Sequence, residues 1–451
     1  MDAADLDRRA RTLSGCIPPH MVSRLLDLGH GAEVEFQAGR GEWFCAREWA
    51  RLLGEQGRRT EASEVLAPYV ATGWWPAARA QAELLESWGR TEEAIALAQP
   101  YGEAGGSPLE FYGRLLARHG REDEAIRVLS AGIEDPSLAR VLVDIAEDTG
   151  RDEEIAALLA ARIPARHRCD APWCCRGLDP DTAIGLLAEI RERQGRVDEA
   201  IALLHTRHIT SVNNHDQLAD LLARRDRIDE LRVYAASEYL GHAARRLAEV
   251  LEERGDVEGA IAVYRQPGDS PVRQSHGAVE LARLLARHDR GDEAIAVMRT
   301  LVDPPGGADD WLVDTLCTLY ADHGRSRDGL AYLDVLKARR GGEEEWDFFR
   351  MRLRLMADCG LLDEAIEQAR AHPEGDTWYA AWTLSDLLTE TGRTEEAVAV
   401  LEPHASTHRD LLAGHLIDLG RVEDAVALLQ QRTPEPVTPV WTGTFSTEPP
   451  F

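Results

Sequence analysis

Pro108-Leu109-Glu110-Phe111-Tyr112-Gly113-Arg114-Leu115-Leu116-Ala117-Arg118-His119-Gly120-Arg121-Glu122-Asp123-Glu124-Ala125-Ile126-Arg127-Val128-Leu129 is the stretch that decides the fold. Leu109, Tyr112 and Leu116 recur at helical spacing, with Phe111 and Leu115 on a second apolar flank, so the first half is an amphipathic helix (helix A). Gly120 ends it, because glycine accepts the left-handed conformation at a helix C-terminus without a steric penalty. Asp123 and Glu124 then place carboxylates where they cap orphan amides and face the positive end of a second helix dipole (helix B). Ala125, Ile126 and Leu129 are its buried stripe.

Working outward, the same Gly-Arg-x-x-Glu-Ala turn opens at Gly57, Gly89, Gly120, Gly150, Gly195, Asp226, Gly255, Asp289, Gly324, Gly360, Gly392 and Gly420. The spacings are 32, 31, 30, 45, 31, 29, 34, 35, 36, 32 and 28 residues. A period of this size marks a solenoid, in which neighbouring hairpins bury one another, rather than a globular enzyme fold. Alanine recurs five positions after the turn at Ala62, Ala94, Ala125, Ala200, Ala260, Ala294, Ala365, Ala397 and Ala425, small enough for two helices to cross closely. Paired large residues such as Leu84-Leu85, Leu221-Leu222 and Leu387-Leu388 close helix A, one facing helix B and the other the next repeat. Leu25-Leu26-x-x-Gly29 with Glu33-Val34 is a thirteenth, degenerate copy, 28 residues before Gly57, whose outer face is expected to meet water.

These units resemble tetratricopeptide repeats over about residues 20–430, and Trp74-Trp75-Pro76-Ala77-Ala78-Arg79 is also similar to Sel1-like repeats. Repeat length drifts, and the proline that usually closes a repeat is mostly missing. The resemblance implies an all-α, right-handed α-solenoid of 12–13 helix-turn-helix repeats whose A helices line a concave, peptide- or protein-binding face. The expected layout is a solenoid over 1–432, with a capping repeat over about 1–40, an insertion over about 162–180, and an extended or disordered Pro/Thr-rich tail over 433–451.

Bulk properties narrow the partner. A net charge of −28 over 451 residues repels phosphate backbones, so nucleic acid is not the expected ligand. No stretch approaches the roughly 18 apolar residues of a membrane span. Met1-Asp2-Ala3-Ala4-Asp5 is acidic where a signal peptide is basic and then apolar, which makes the cytoplasm the expected location. Basic charge is almost wholly arginine, with Lys337 the only lysine, a bias typical of a GC-rich bacterial genome. No Gly-x-Ser-x-Gly elbow, phosphate loop or His-Glu-x-x-His pair occurs, so neither an enzyme nor a cofactor is expected.

Two regions are functional candidates. Arginines fall on helix A ten or six residues before the turn, including Arg47, Arg51, Arg79, Arg114, Arg140, Arg245, Arg283, Arg350 and Arg354. Acids such as Glu83, Asp144 and Asp386 fill the same positions elsewhere. In a tetratricopeptide-like array these offsets point into the groove, where Arg47, Arg51, Arg79, Arg114 and Arg140 would hold a partner's carboxylates bidentately beside an exposed Trp74. The bland alternative is a solvated face of mixed charge. Trp43, Trp75, Trp311, Trp346 and Trp378 start helix A and are expected to staple neighbouring repeats.

The second candidate is the insertion. Cys169, Cys174 and Cys175 can converge with His205 and His208 at one edge of a hairpin, a donor set suited to zinc, although the spacing is not that of a zinc ribbon. The alternative is a loop of plain reduced cysteines. The leading expectation is therefore a non-enzymatic protein- or peptide-binding scaffold, and the other a regulatory subunit with a metal- or redox-responsive insertion.

Overall fold

The computed structural model describes residues 2–163, 177–207, 211–212, 215–238, 241–266, 271–303, 309–342 and 344–431. Among them stand 27 α-helices, one 3-10 turn, and a two-residue antiparallel ladder pairing Ser211 with Asp216 and Val212 with His215. The fold is an all-α helical repeat.

In the hairpin Gly106–Arg118 with Glu122–Ser130, Leu109, Phe111, Tyr112, Leu115 and Leu116 of helix A are buried with Ala125, Ile126 and Leu129 of helix B. Gly113 lets the two backbones approach: a Cβ there would lie 2.6 Å from Leu129 Cδ1. Helix A touches its own helix B, the preceding helix Thr91–Gly102 and the following helix Pro136–Thr149. Each buried Leu or Phe contributes about 1.5–3 kcal/mol, an upper estimate for an extended unfolded chain. No single hairpin buries both faces of its helix A alone, so stability is shared between neighbours.

The turn explains the recurrence. All twelve turn residues have positive φ, Asp226 (59°) and Asp289 (58°) included, as does Gly29 at 84°. In the Gly120 turn the Arg121 amide donates to Leu116 O at 3.0 Å, which satisfies a carbonyl at the end of helix A. The same bond runs from Arg58 to Leu53, from Arg196 to Arg191, and from Arg421 to Leu416. The alanine five positions on is fully buried in all nine repeats that carry it.

The acid four positions after the turn has a different role from the capping expected of it. Helix B begins on an arginine with no side-chain cap in most repeats, as at Arg121 and Arg196. The carboxylate instead pairs with that arginine: Arg58–Glu61, Arg90–Glu93, Arg121–Glu124, Arg151–Glu154, Arg196–Glu199, Arg227–Glu230, Arg290–Glu293, Arg325–Asp328, Arg393–Glu396 and Arg421–Asp424. A planar guanidinium at the turn matches a carboxylate three residues on, and this takes the acid away from the amides. Asp256 is instructive. It replaces the arginine where Gly259 replaces the acid, and its Oδ1 accepts from Gly259 N at 2.9 Å, a true side-chain cap.

The chain divides into two compact units. One spans Leu85–Gly375 and contains a continuous core running from Ala188 through Leu222, Leu285 and Leu316 to Leu355. The other joins Met1–Leu84 with Asp376–Phe451. Within it, helix Pro19–Asp27 packs on helix Arg409–Asp418. The first hairpin therefore has a protein neighbour on the face expected to meet water.

Helix Ala3–Thr12 precedes the first hairpin and buries Leu6. Trp74, expected to be exposed, is only 4% exposed. Its ring meets Trp43 edge-on at 4.9 Å, Trp43 in turn meets Tyr69 at 5.1 Å, and Trp74 Nε1 donates to Asp7 on the added helix at 3.4 Å.

Candidate functional site

In most repeats the residues ten and six positions before the turn lie on the less buried face of helix A, whereas Gly185, Asp216 and Val279, ten before their turns, are buried. In the terminal unit, Arg47 Nη2 donates to Glu48 at 2.8 Å, Arg51 Nε donates to Glu48 at 2.9 Å, and Arg79 Nε donates to Glu83 at 2.8 Å. Burial raises the Glu48 carboxyl, but its bonds from Arg51 and Arg47 outweigh this and hold it below the usual glutamate value.

In the central unit, Arg114 Nη2 reaches Asp144 of the next repeat at 2.9 Å and its Nε reaches Glu110 at 3.2 Å. Arg140 pairs with Glu189, whose carboxylate also accepts from Gln217 Nε2 at 3.2 Å. The arginine forks are thus engaged by the protein's own carboxylates. An incoming carboxylate would have to displace one.

The tryptophans divide by environment. Trp43 and Trp346 are buried as packing residues and Trp75 is half-buried. Trp311 is exposed and stacks on His276 with centroids 5.6 Å apart. Trp378 and Trp382, on helix Trp378–Glu390, are 52% and 45% exposed, and the Trp378 ring meets Tyr379 edge-on at 5.4 Å and His408, beside the next helix, at 5.9 Å. The opposite side of that helix buries Ala380, Ala381, Leu384, Leu387 and Leu388. Helix Arg409–Asp418 and the residue before it anchor the platform: His408 Nε2 lies 2.6 Å from Trp378 O, and His415 Nε2 lies 3.0 Å from Ser385 Oγ.

Trp378, Trp382, Asp386 and Glu390 follow at four-residue steps, so they form one stripe. The helix carries no lysine or arginine, and among the described residues neither carboxylate has an ion-pair partner. Desolvation and then the neighbouring Glu390 push the Asp386 carboxyl above the usual aspartate value. Sequence reading missed Trp382, although its offset of ten before Gly392 is that of Arg47 before Gly57. That register was the available signal.

Of the insertion candidates, Cys169, Cys174, Cys175 and His208 lie outside the described residues. His205 is exposed and meets the Tyr234 ring edge-on at 6.2 Å. Among the described residues, no group of three or more His, Cys, Asp or Glu side chains is placed to hold a metal. Trp441, Phe445 and Phe451 of the tail also lie outside them. No helix among the described residues is long and apolar enough to cross a membrane.

The family model of the tetratricopeptide repeat matches residues 183–214, which fall on the hairpin around Gly195. No curated protein matches the sequence. Among solved structures, a chain of the Naa15/Naa10 complex bound to HypK-THB is similar at 13% identity, over 93% of this chain and 74% of that one, with a TM-score of 0.43. A tetratricopeptide repeat protein from Parabacteroides merdae is 13% identical over 64% and 96%, with a TM-score of 0.27. A chain of the APC/C hetero-tetramer Cut9-Hcn1 is 12% identical over 81% and 73%, with a TM-score of 0.30. The family match lies on one hairpin of a chain that is an all-α helical repeat, and the same turn and alanine crossing recur in its other hairpins.

Proposed function

We propose that the protein is a non-catalytic cytoplasmic scaffold, of bacterial origin, that holds a protein or peptide partner against the free face of its A helices. The observation that carries this reading is the pair of exposed tryptophans, Trp378 and Trp382, on a helix whose other side is packed. Large aromatics presented on a rigid platform are the side chains that dominate binding energy at protein interfaces. In this reading Arg47, Arg51, Arg79, Arg114 and Arg140 form a polar rim. Each exchanges an internal carboxylate for an external one, so they select orientation more than they add affinity.

Affinity capture from lysate, followed by mass spectrometry, tests the proposal. Wild-type protein is expected to retain a defined protein partner that the Trp378→Ala/Trp382→Ala variant loses at unchanged helicity. A partner that stays on this variant but leaves when Ala399, on the exposed side of helix Thr394–Leu401, is changed to Asp would place recognition on helix B and refute it.

A further inference from the structure

We infer that the Trp378–Trp382–Asp386–Glu390 stripe docks an arginine-bearing segment of a protein partner. This rests on the scaffold reading and gives its partner a chemistry opposite to that expected from the groove arginines.

The inference follows from which charges are already neutralised. At the two free-face offsets of other repeats, Arg51, Arg79, Arg114, Arg140 and Arg350 each face a carboxylate of the protein itself. In the repeat that turns at Gly392, the same two offsets hold Trp382 and Asp386, with Trp378 one turn before and Glu390 one turn after. The two carboxylates are like charges four residues apart on one helix face, an arrangement that disfavours the helix. Desolvation first, and the Glu390 charge second, hold the Asp386 carboxyl above its ordinary value. Among the described residues no arginine or lysine pairs with either carboxylate.

Two exposed indoles beside two unpaired carboxylates suit a guanidinium. Its plane stacks on an indole while its edge donates to a carboxylate, and it is more weakly hydrated than an ammonium, so it loses less on leaving water. Four-residue steps set the groups about 6 Å apart along the helix, within the reach of one extended arginine side chain or two neighbouring ones. A net charge of −28 also steers a basic segment toward the protein and an acidic one away. The exposed indoles provide short-range selectivity that this long-range field lacks.

The test uses the full chain and three fluorescent eight-residue peptides, (Gly-Arg)4, (Gly-Lys)4 and (Gly-Glu)4, titrated by anisotropy at physiological salt. The arginine peptide should bind at least several-fold more tightly than the lysine peptide, with no binding of the glutamate peptide. Trp382→Ala should weaken arginine-peptide binding about tenfold without any change in net charge, and Asp386→Asn should weaken it comparably. Glu367→Gln, on the separate helix Leu362–Ala371, should have little effect while removing the same charge as Asp386→Asn. Equal losses for Asp386→Asn and Glu367→Gln with none for Trp382→Ala would reduce the effect to general attraction between polyions and overturn the inference. Preference for the glutamate peptide would overturn it in favour of the arginine rim. A protein partner captured equally by wild type and Trp382→Ala would leave a scaffold standing and remove this surface from it.

Discussion

Arg24 and Asp418 stand 394 residues apart in the sequence and are joined by a forked ion pair, with Arg24 Nε 3.1 Å from Asp418 Oδ1 and Nη2 bonded to both carboxylate oxygens. Within the same unit Gln430 Nε2 donates to Gln37 Oε1 at 2.8 Å, and Met21 packs close enough to Gly414 that its Cε would be in ordinary contact, 3.7 Å, with a Cβ there. The pair is half-exposed, so its own contribution is at most about 1 kcal/mol. The packing beneath it matters more, because Met21, Val22 and Leu25 are buried on the same helix.

Removing residues 406–451 should therefore expose helix Pro19–Asp27. Hydrogen exchange in residues 19–27 is expected to accelerate by an order of magnitude or more, with helix Pro136–Thr149 as the internal reference. Unchanged protection at 19–27 would mean that the first hairpin does not draw on the last.

Glu42 gives a pH signature. It is 3% exposed, its Oε1 accepts from Ile17 N at 3.3 Å, and its Oε2 accepts from Cys45 N at 2.9 Å. Burial raises its carboxyl above the ordinary value, more than these amides and the positive charge of Arg9 lower it. The folded state thus binds this proton more tightly than the unfolded state. Stability from this site is highest below the ordinary glutamate value of 4.5 and falls as pH climbs toward the raised one. In urea titrations from pH 4 to pH 8, the stability of wild type relative to Glu42→Gln should decline with pH. A rise would mean that Arg9 dominates and depresses the carboxyl.

Thiol reactivity should follow burial. Desolvation pushes Cys16 up to about 11 and Cys317 up to about 12, and raises Cys45 as well. Cys359 is half-buried at the end of its helix. Iodoacetamide at pH 8, followed by peptide mass spectrometry, is expected to modify Cys359 well before Cys16, Cys45 or Cys317, since the thiolate is the reactive form. Early modification of Cys45 would contradict the packing around Glu42.

Ala200 is fully buried at the crossing of helices Pro180–Arg193 and Val197–Leu204. Ala200→Trp should cost about 1–3 kcal/mol or more through overpacking. Exchange protection should fall first in those two helices and then in their neighbours. A variant with wild-type thermal stability would show that the crossing tolerates bulk and that the recurring alanine has another cause.

Much of this architecture was legible because its causes are local. A left-handed turn residue, a small residue at the crossing and an apolar stripe recur with the chain, so their spacing exposes them. Trp74 was misread because its cover, helix Ala3–Thr12, lies ahead of the first repeat and shares none of its pattern. The Arg24–Asp418 pair was invisible for a related reason: periodicity reports contacts between successive repeats and carries nothing about the first meeting the last. The acids after each turn were correctly located but assigned to capping, since a carboxylate early in a helix fits either role until the arginine's reach is known. At the candidate site, the sequence showed the charged register but not which charges were already paired. Arg79 and Arg114 are already bonded to Glu83 and Asp144, whereas Trp382 is exposed and Asp386 has no ion-pair partner among the described residues.

The most direct test of the scaffold account is site-specific photo-crosslinking in cells, with benzophenone-alanine at position 382 on the free helix-A face and, separately, at position 399 on helix B. The account predicts a discrete protein adduct from position 382 that disappears when Trp378 is also changed to Ala, and little or none from position 399. Adducts from 399 alone, or an adduct from 382 that is indifferent to Trp378, would contradict it.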